Sequence, residues 1–170
     1  MLEGVVDVAF AFVDRYGPLA LFCIFVLEGL LVGKLIPTRT LFVAAVVIVE
    51  NATLELAVLA GAAILGATVG QTLLFAAVRL RGTAWLGRVP YVRATRDRVR
   101  RAERWFDRWG LPTVAVTNAL PIVRGYPTIP VAISTVSWYR FPPVSMLGTT
   151  VYVGALTAIA LGLEVLVPWL

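Results

Sequence analysis

The sequence predicts an all-α integral membrane protein with about three full spans, two re-entrant hairpins that enter from opposite faces, and a cytoplasmic amphipathic helix. Three observations lead to this prediction. Hydrophobic residues make up 59% of the 170 residues, only 15% are charged, and the mean hydropathy is +0.87. In soluble domains, by comparison, about a quarter of the residues are charged. Uninterrupted apolar blocks alternate with blocks broken by proline and arginine, and one further block is strongly basic.

The first two apolar blocks are Gly17–Val32 and Leu35–Val49. Gly17–Val32 is predicted to span the membrane outward from a cytoplasmic N-terminus. Leu35–Val49 is interrupted near its start by Pro37 and Arg39. Because proline removes a backbone donor and restricts the residue before it, a regular spanning helix is a poor fit to this block. We expect it to dip into the bilayer from outside and to return.

The next block, Leu54–Val78, is long enough to span, since about 20 apolar residues cross a typical hydrocarbon core. The segment 79–110 that follows contains ten of the 15 basic residues and only three acids. The excess of positive charge in cytoplasmic loops predicts that this segment is cytoplasmic. Arginine clusters also bind nucleic acid, but we expect no nucleic-acid partner for a loop tethered between membrane segments.

Within the basic segment, apolar residues recur at helical spacing. Val99, Ala102, Phe106 and Trp109 form one face, and arginines occupy the others. This pattern is typical of an amphipathic helix on an anionic leaflet. A solvated connector helix that packs on the protein fits the pattern equally well.

The block Leu111–Ile133 is apolar but contains four prolines and Arg124. Irregular backbone at membrane depth occurs only where protein buries it or where it lines a wet cavity. An arginine there costs about 2.5–3.5 kcal/mol on insertion scales and should face a partner or water. We therefore predict a second re-entrant hairpin, which enters from the cytoplasm. The last block, Phe141–Val167, is predicted to be a full span that runs outward.

Weak internal similarity favours an inverted repeat. Pro37 precedes Gly66 by nearly the same number of residues as Pro121 precedes Gly148. Paired, interrupted apolar segments are typical of transporters with a site at the repeat interface. The alternative is that Gly66 and Gly70 only permit close helix packing.

The residue types exclude several chemistries. The sequence contains no histidine, which removes His-based acid–base catalysis, Ser-His triads and most zinc sites. Its single cysteine, Cys23, cannot form an internal disulfide. No nucleophile–base pair and no cluster of metal ligands is visible. We therefore expect neither an enzyme nor a bound metal or cofactor.

Several motifs occur in a fixed order along the chain. They are Phe25-x-x-Glu28 before Pro37, Gly66-x3-Gly70-Gln71 with Arg79 and Gly82, Phe106-Asp-Arg-Trp-Gly110, Asn118-x-x-Pro121-x-x-Arg124, and Gly148-x3-Tyr152. With these motifs the chain resembles the DedA membrane proteins, relatives of the VTT-domain or SNARE-associated Golgi proteins. The resemblance extends from Phe25 to about Gly162.

The resemblance implies one membrane domain over residues 1–170 that moves polyprenyl phosphates or phospholipids across the bilayer. The excess of arginine over lysine indicates a GC-rich prokaryotic genome. We therefore expect a multi-pass protein of a prokaryotic plasma membrane. Expected partners are lipids with phosphorylated head groups, with protons and a second copy of the chain left open.

The chain departs from the family pattern at three places. Asn118 stands where the first arginine of the Arg-x-x-Pro-x-x-Arg motif is usual, Arg39 or Thr40 where a second acid is usual, and Gln71 where aspartate is frequent. The resemblance implies proton coupling for members with the full set of charges. That coupling does not carry over directly to this chain.

The remaining polar residues define the predicted site. Arginine grips phosphate with a planar fork, and an apolar wall would leave the acyl or prenyl chain in lipid. The predicted substrate-binding residues are Glu28, Arg39, Asn118 and Arg124, and the predicted re-entrant turns are at Pro37, Pro121 and Pro127.

Three functions fit this pattern. The leading hypothesis is a flippase or scramblase for a phosphorylated lipid. The second is a proton- or cation-coupled exporter in which Glu28 titrates. The third is a membrane-homeostasis scaffold that transports nothing. For the charged residues themselves, the alternative to substrate binding is that an ion pair of Glu28 with Arg39 or Arg124 only neutralises buried charge.

Overall fold

The computed structural model describes residues 15–31, 36–48, 53–82 and 96–166, without the side chains of residues 48, 96–99, 102 and 163–166. These residues contain seven α-helices and no strand, which confirms the predicted all-α class. In chain order, the helices are α1 (Pro18–Gly29), α2 (Thr38–Ile48), α3 (Thr53–Arg81), α4 (Arg96–Trp109), α5 (Pro112–Ala119), α6 (Thr128–Ile133) and α7 (Phe141–Leu166).

Helices α3 and α7 are the long apolar helices of the described chain. Their 29 and 26 residues correspond to about 43 and 39 Å at 1.5 Å per residue, more than a hydrocarbon core of about 30 Å. They pack antiparallel, because Phe75 near the end of α3 stacks on Phe141 at the start of α7, with ring centroids 4.7 Å apart. Ala63 and Val153 belong to one core cluster nearer the other ends. The two blocks predicted as spans at these places therefore form helices of spanning length.

Helix α1 packs closely along α3 through glycines. A Cβ atom added at Gly66 would overlap the carbonyl oxygen of Phe22, and one added at Gly70 would overlap that of Val26. Small residues allow backbones to approach in this way. Because the two contacts follow the same order along both helices, α1 and α3 run in the same direction.

This geometry corrects the prediction for Gly17–Val32. Helix α1 has 12 residues, about 18 Å, which is too short to cross a bilayer. It begins after Gly17, whose φ is 51°, and ends before Leu31, whose φ is 63°. Since the prediction had this block crossing opposite to Leu54–Val78, its direction relative to α3 was wrong. An apolar run of this length carries no information about direction.

The predicted break in Leu111–Ile133 is present. Helix α5 ends at Ala119, and Leu120 is extended with φ −97° and ψ 123°, the conformation that a following proline favours. Turns then lead to α6, with Gly125 at φ 81°. The prediction that Leu35–Val49 dips in and returns was wrong, because its residues 38–48 form the single helix α2; the equivalent broken pair is α1 and α2, on either side of Pro37.

The packing of the two broken pairs follows one pattern. In each half the first short helix packs on the long helix that follows it, α1 on α3 and α5 on α7. The second short helix packs on the long helix of the other half, α2 on α7 and α6 on α3. This exchange is the contact pattern expected of two related repeats around the antiparallel α3 and α7.

Helix α4 lies against α5 and α6 rather than standing apart from them. Phe106 packs on the core cluster around Leu74 and Phe141, and the Thr113 hydroxyl donates to the carbonyl oxygen of Trp105 at 3.1 Å. Trp109 remains 67% exposed. Of the apolar face predicted from the sequence, Phe106 packs on protein and Trp109 faces outward. The side chains of residues 99 and 102 lie outside the described part of the chain.

Gly70→Ala should lower the thermal midpoint of the protein in detergent. Its Cβ would meet backbone atoms of α1, which cannot move unless the helices separate, and overpacking costs about 1–3 kcal/mol. The control is Gly61→Ala on the same helix, where the space around the new Cβ is open. Helix propensity favours that change by about 1 kcal/mol. Equal midpoints for the two variants would contradict the close packing of α1 on α3.

Candidate functional site

The two helix breaks meet between the long helices. A Cβ atom on Gly125 would lie 3.1 Å from Cδ2 of Leu31, so the two left-handed residues of the breaks touch. Arg39, in the first turn of α2, donates from Nη2 to the carbonyl oxygen of Pro121 at 2.6 Å. The break after α1 is therefore joined directly to the break after α5.

A buried ion pair lies beside this junction. Nη1 of Arg124 is 3.8 Å from Oε1 of Glu28, with the two side chains 3% and 11% exposed. The guanidinium carbon of Arg124 also lies 4.1 Å from the ring centroid of Tyr152 and 5.8 Å from that of Phe25. Arg124 is thus held between a carboxylate and two aromatic faces, which attract cations.

The ion pair is not tightly closed. A hydrogen-bonded Arg–carboxylate contact is about 2.7–2.9 Å long, shorter than the 3.8 Å found here. Among the described residues, the buried Oε2 atom of Glu28 has no hydrogen-bond partner. Because buried charges are stabilised only by good geometry and further hydrogen bonds, this carboxylate can accept another donor or release Arg124.

Arg39 extends the charged cluster to the surface. Its side chain is exposed, and the Tyr152 hydroxyl is near enough to interact electrostatically with Arg39, Glu28 and Arg124. A continuous set of charged and polar groups therefore runs from the buried Glu28–Arg124 pair, past Tyr152, to Arg39 at the rim.

A second, uncharged network holds the second break. Nδ2 of Asn118 donates to Oε1 of Gln71 at 2.7 Å and to Oγ of Ser145 at 3.2 Å. Oδ1 of Asn118 accepts from Nε2 of Gln71 at 3.3 Å and from the backbone N–H of Gly125 at 3.2 Å. Asn118 thus ties α5 to both long helices and holds the residue next to Arg124.

The chain matches a known protein family over most of its length. The VTT domain matches residues 36–161 of the chain, which is well over half of it. The chain belongs to the VTT-domain family. This confirms the resemblance to the DedA proteins. The match starts just before α2 and ends within α7, so it includes both helix breaks except the α1 side of the first.

A bacterial relative is similar over most of the chain. Undecaprenyl phosphate transporter A of Staphylococcus aureus (strain NCTC 8325 / PS 47) is 24% identical over 146 residues, which is 83% of this chain and 71% of the relative. No solved structure matches this chain significantly. Together with the two long apolar helices, the family assignment makes the chain a membrane protein.

In this VTT-domain protein, the predicted site residues fall into two groups. Glu28 and Arg124 form the buried ion pair, and Arg39 lies at its rim. That these three residues bind substrate remains a prediction. Asn118 lies in the neighbouring amide network, from which it positions Arg124 through Gly125. Its role as a substrate-binding residue remains a prediction.

The three predicted turn prolines have different places. Pro37 directly precedes α2, and Pro127 is the N-cap residue of α6. Pro121 contributes its carbonyl oxygen to the contact with Arg39. Each therefore lies at or next to a helix end in one of the two broken pairs.

Sequence analysis missed Tyr152 and Phe25 as members of the site. Both were noted only as motif positions, since an aromatic residue in an apolar helix is usually part of the core. The available signal was spacing, because Ser145, Thr149 and Tyr152 fall on one face of α7. All three are buried, and Thr149 Oγ1 has no hydrogen-bond partner among the described residues. This polar face runs from the amide network to Arg124.

Asn118→Ala should destabilise the protein by about 1–3 kcal/mol for each buried donor left without a partner, namely Nε2 of Gln71 and the N–H of Gly125. Oε1 of Gln71 keeps the Ser145 hydroxyl. The measurement is the thermal midpoint in detergent. Thr150→Ala is the control, because this exposed hydroxyl bonds only the Met146 carbonyl of its own helix. The double variant Asn118→Ala/Gln71→Leu should lose less than the sum of the single losses. Strictly additive losses would show that the amides do not interact.

Proposed function

We propose that this protein moves a phosphorylated lipid, such as a polyprenyl phosphate or a phospholipid, across the bilayer as a flippase or scramblase. The observation that carries the proposal is the convergence of Arg124, Arg39 and Glu28 where the two helix breaks meet. A similar bacterial protein bears the name undecaprenyl phosphate transporter A, which supports a lipid phosphate as the ligand class.

The chemistry of the cluster suits a phosphate head group. The guanidinium fork of arginine matches phosphate oxygens in two parallel hydrogen bonds. In the proposal, Arg39 meets the head group at the rim and Arg124 takes it deeper, where the phosphate replaces Glu28 as the closest anion. The long separation of Glu28 and Arg124 makes this exchange cheaper than breaking a closed ion pair.

We further propose that both broken pairs are re-entrant hairpins in the plasma membrane of a prokaryote. The pair α1–α2 would enter from outside and α5–α6 from the cytoplasm, with residues 79–110 cytoplasmic. The parallel course of α1 and α3 supports this arrangement, because α2 must then bring the chain back before α3 begins. The antiparallel course of α3 and α7 supports opposite entry faces.

Cysteine labelling in intact cells tests this topology. In a Cys23→Ser background, cysteines placed at Thr95, Leu111 and Val136 should all react only with a membrane-permeant reagent, because all three positions are proposed to be cytoplasmic. Labelling of position 95 by an impermeant reagent would reverse the orientation. Labelling of positions 111 and 136 from opposite sides would make the second broken pair an ordinary span.

Arg124→Ala should abolish head-group-dependent flipping of lipid in proteoliposomes, while the protein remains folded and inserted. Arg124→Lys should restore only part of the rate, because a point charge cannot reproduce bidentate phosphate contact. The matched control is Arg140→Ala, an exposed arginine beside Tyr139 that lies outside the cluster. Wild-type flipping by Arg124→Ala would show that the ion pair only neutralises buried charge.

A coupled exporter is the second candidate, favoured by the Oε2 atom of Glu28, which has no hydrogen-bond partner within the described part of the chain. The same proteoliposomes, examined with a panel of lipids and with or without a pH gradient, separate the two candidates. Glu28→Gln should remove the pH dependence of a proton-coupled carrier, whereas in an uncoupled flippase it should mainly change the affinity for lipid. A scaffold would flip no lipid in the wild-type protein and would tolerate the loss of both Glu28 and Arg124.

A further inference from the structure

An apolar groove lies where α4 meets α5, on the outer surface and apart from the charged cluster. Its volume is about 340 Å³, and it is lined by Trp105, Trp109, Pro112, Thr113, Val116 and Thr117. The two threonine hydroxyls are already used, by the carbonyl oxygens of Trp105 and Thr113. The groove therefore offers hydrocarbon and aromatic surface, and its chemistry fits an apolar chain.

The charges beside the groove are asymmetric. Arg101 and Arg108 are exposed and lie four residues before and three residues after Trp105, which puts them on its side of α4. Arg108 also lies over the ring of Trp109, 5.8 Å from its centroid. The acidic residues of this part of α4, Glu103 and Asp107, line a different depression that faces α6. The rim of the groove is thus positive.

We propose that the groove binds one acyl chain of an anionic phospholipid, whose head group is held by Arg101 and Arg108. Tryptophan prefers the interface between hydrocarbon and head groups, which is where a groove with an apolar floor and a basic rim must lie. Each basic residue close to an anionic head group adds to the attraction. A neutral phospholipid could fill the groove but would gain nothing from the rim.

This site is separate from the proposed transport site. The transport proposal depends on Arg124 and Glu28, between the long helices, whereas the groove involves only α4 and the outer face of α5. The bound lipid would hold α4 against the entry to the second broken pair. Binding should therefore persist in a variant that transports nothing.

Quenching of tryptophan fluorescence by brominated lipid chains measures occupancy directly. The full-length protein is used with Trp85, Trp138 and Trp169 changed to phenylalanine, so that only the two groove tryptophans emit. It is reconstituted with increasing fractions of brominated phosphatidylglycerol or brominated phosphatidylcholine. We expect half-maximal quenching at a mole fraction roughly fivefold lower for phosphatidylglycerol, the factor expected from about one effective arginine contact.

Two pairs of variants assign the effect to the groove. Arg101→Gln/Arg108→Gln should bring the phosphatidylglycerol curve close to the phosphatidylcholine curve, whereas Arg100→Gln, on the opposite side of α4, should leave it unchanged. Val116→Phe should fill the groove and reduce quenching by both lipids. Its control is Val151→Phe, an exposed valine on α7, which should have no effect.

The outcomes distinguish this proposal from the proposed function. In an Arg124→Ala background the lipid preference should be unchanged, even if flipping is lost. Equal quenching by the two lipids would overturn the anionic site and leave an ordinary lipid-facing surface. Absence of quenching by either lipid would overturn it as well, because the groove would then be covered by another protein surface or by a second copy of the chain.

Discussion

The structure depends on one constraint, which is that a helix break leaves backbone groups without their helical partners, and such groups must find other partners where they are buried. The two breaks supply partners to each other and to the long helices. Arg39 binds the carbonyl oxygen of Pro121 across the junction, and Asn118 binds the N–H of Gly125 within the second break. The polar side chains near the breaks therefore stabilise the fold even without a ligand. The charged cluster forms where the two breaks meet.

Close helix packing brings the breaks to the same depth. A Cβ atom added at Gly66 or Gly70 would overlap the backbone of α1, and one added at Gly148 would overlap that of α5, so α1 and α5 each lie directly on the long helix that follows. The exchange of α2 and α6 between the two halves then draws the breaks towards each other. The glycines were predicted either to mark a repeat or to permit close packing. They do permit close packing, and that packing follows the same pattern in both halves.

The elements that could be predicted well are those whose position is determined by residues close together in the sequence. Pro121 ends α5 at the residues that precede it, and the length of the apolar runs identifies α3 and α7. The direction of α1 could not be predicted, because an apolar run reads the same towards either face and only the contacts of Gly66 and Gly70 determine it. The site divides in the same way. Charge identified Glu28, Arg39 and Arg124, whereas the partners that surround them, such as Tyr152, depend on packing between distant segments.

The pairing of Gln71 with Asn118 explains two departures that looked independent in the sequence. The resemblance to the DedA proteins implies a charged residue at each of these positions, and in the structure the two amides bond each other reciprocally. A neutral pair avoids the desolvation cost of a second buried ion pair and leaves Glu28 and Arg124 as the buried charges of the described junction. Their charges cancel, and Arg39 adds one positive charge at the rim. The phosphodiester of a phospholipid carries one negative charge and the phosphate of a polyprenyl phosphate about 1.5 to 2, so either would offset the positive charge of the cluster, whereas a cation would increase it. The charge balance of the junction therefore favours an anionic ligand over a cationic one.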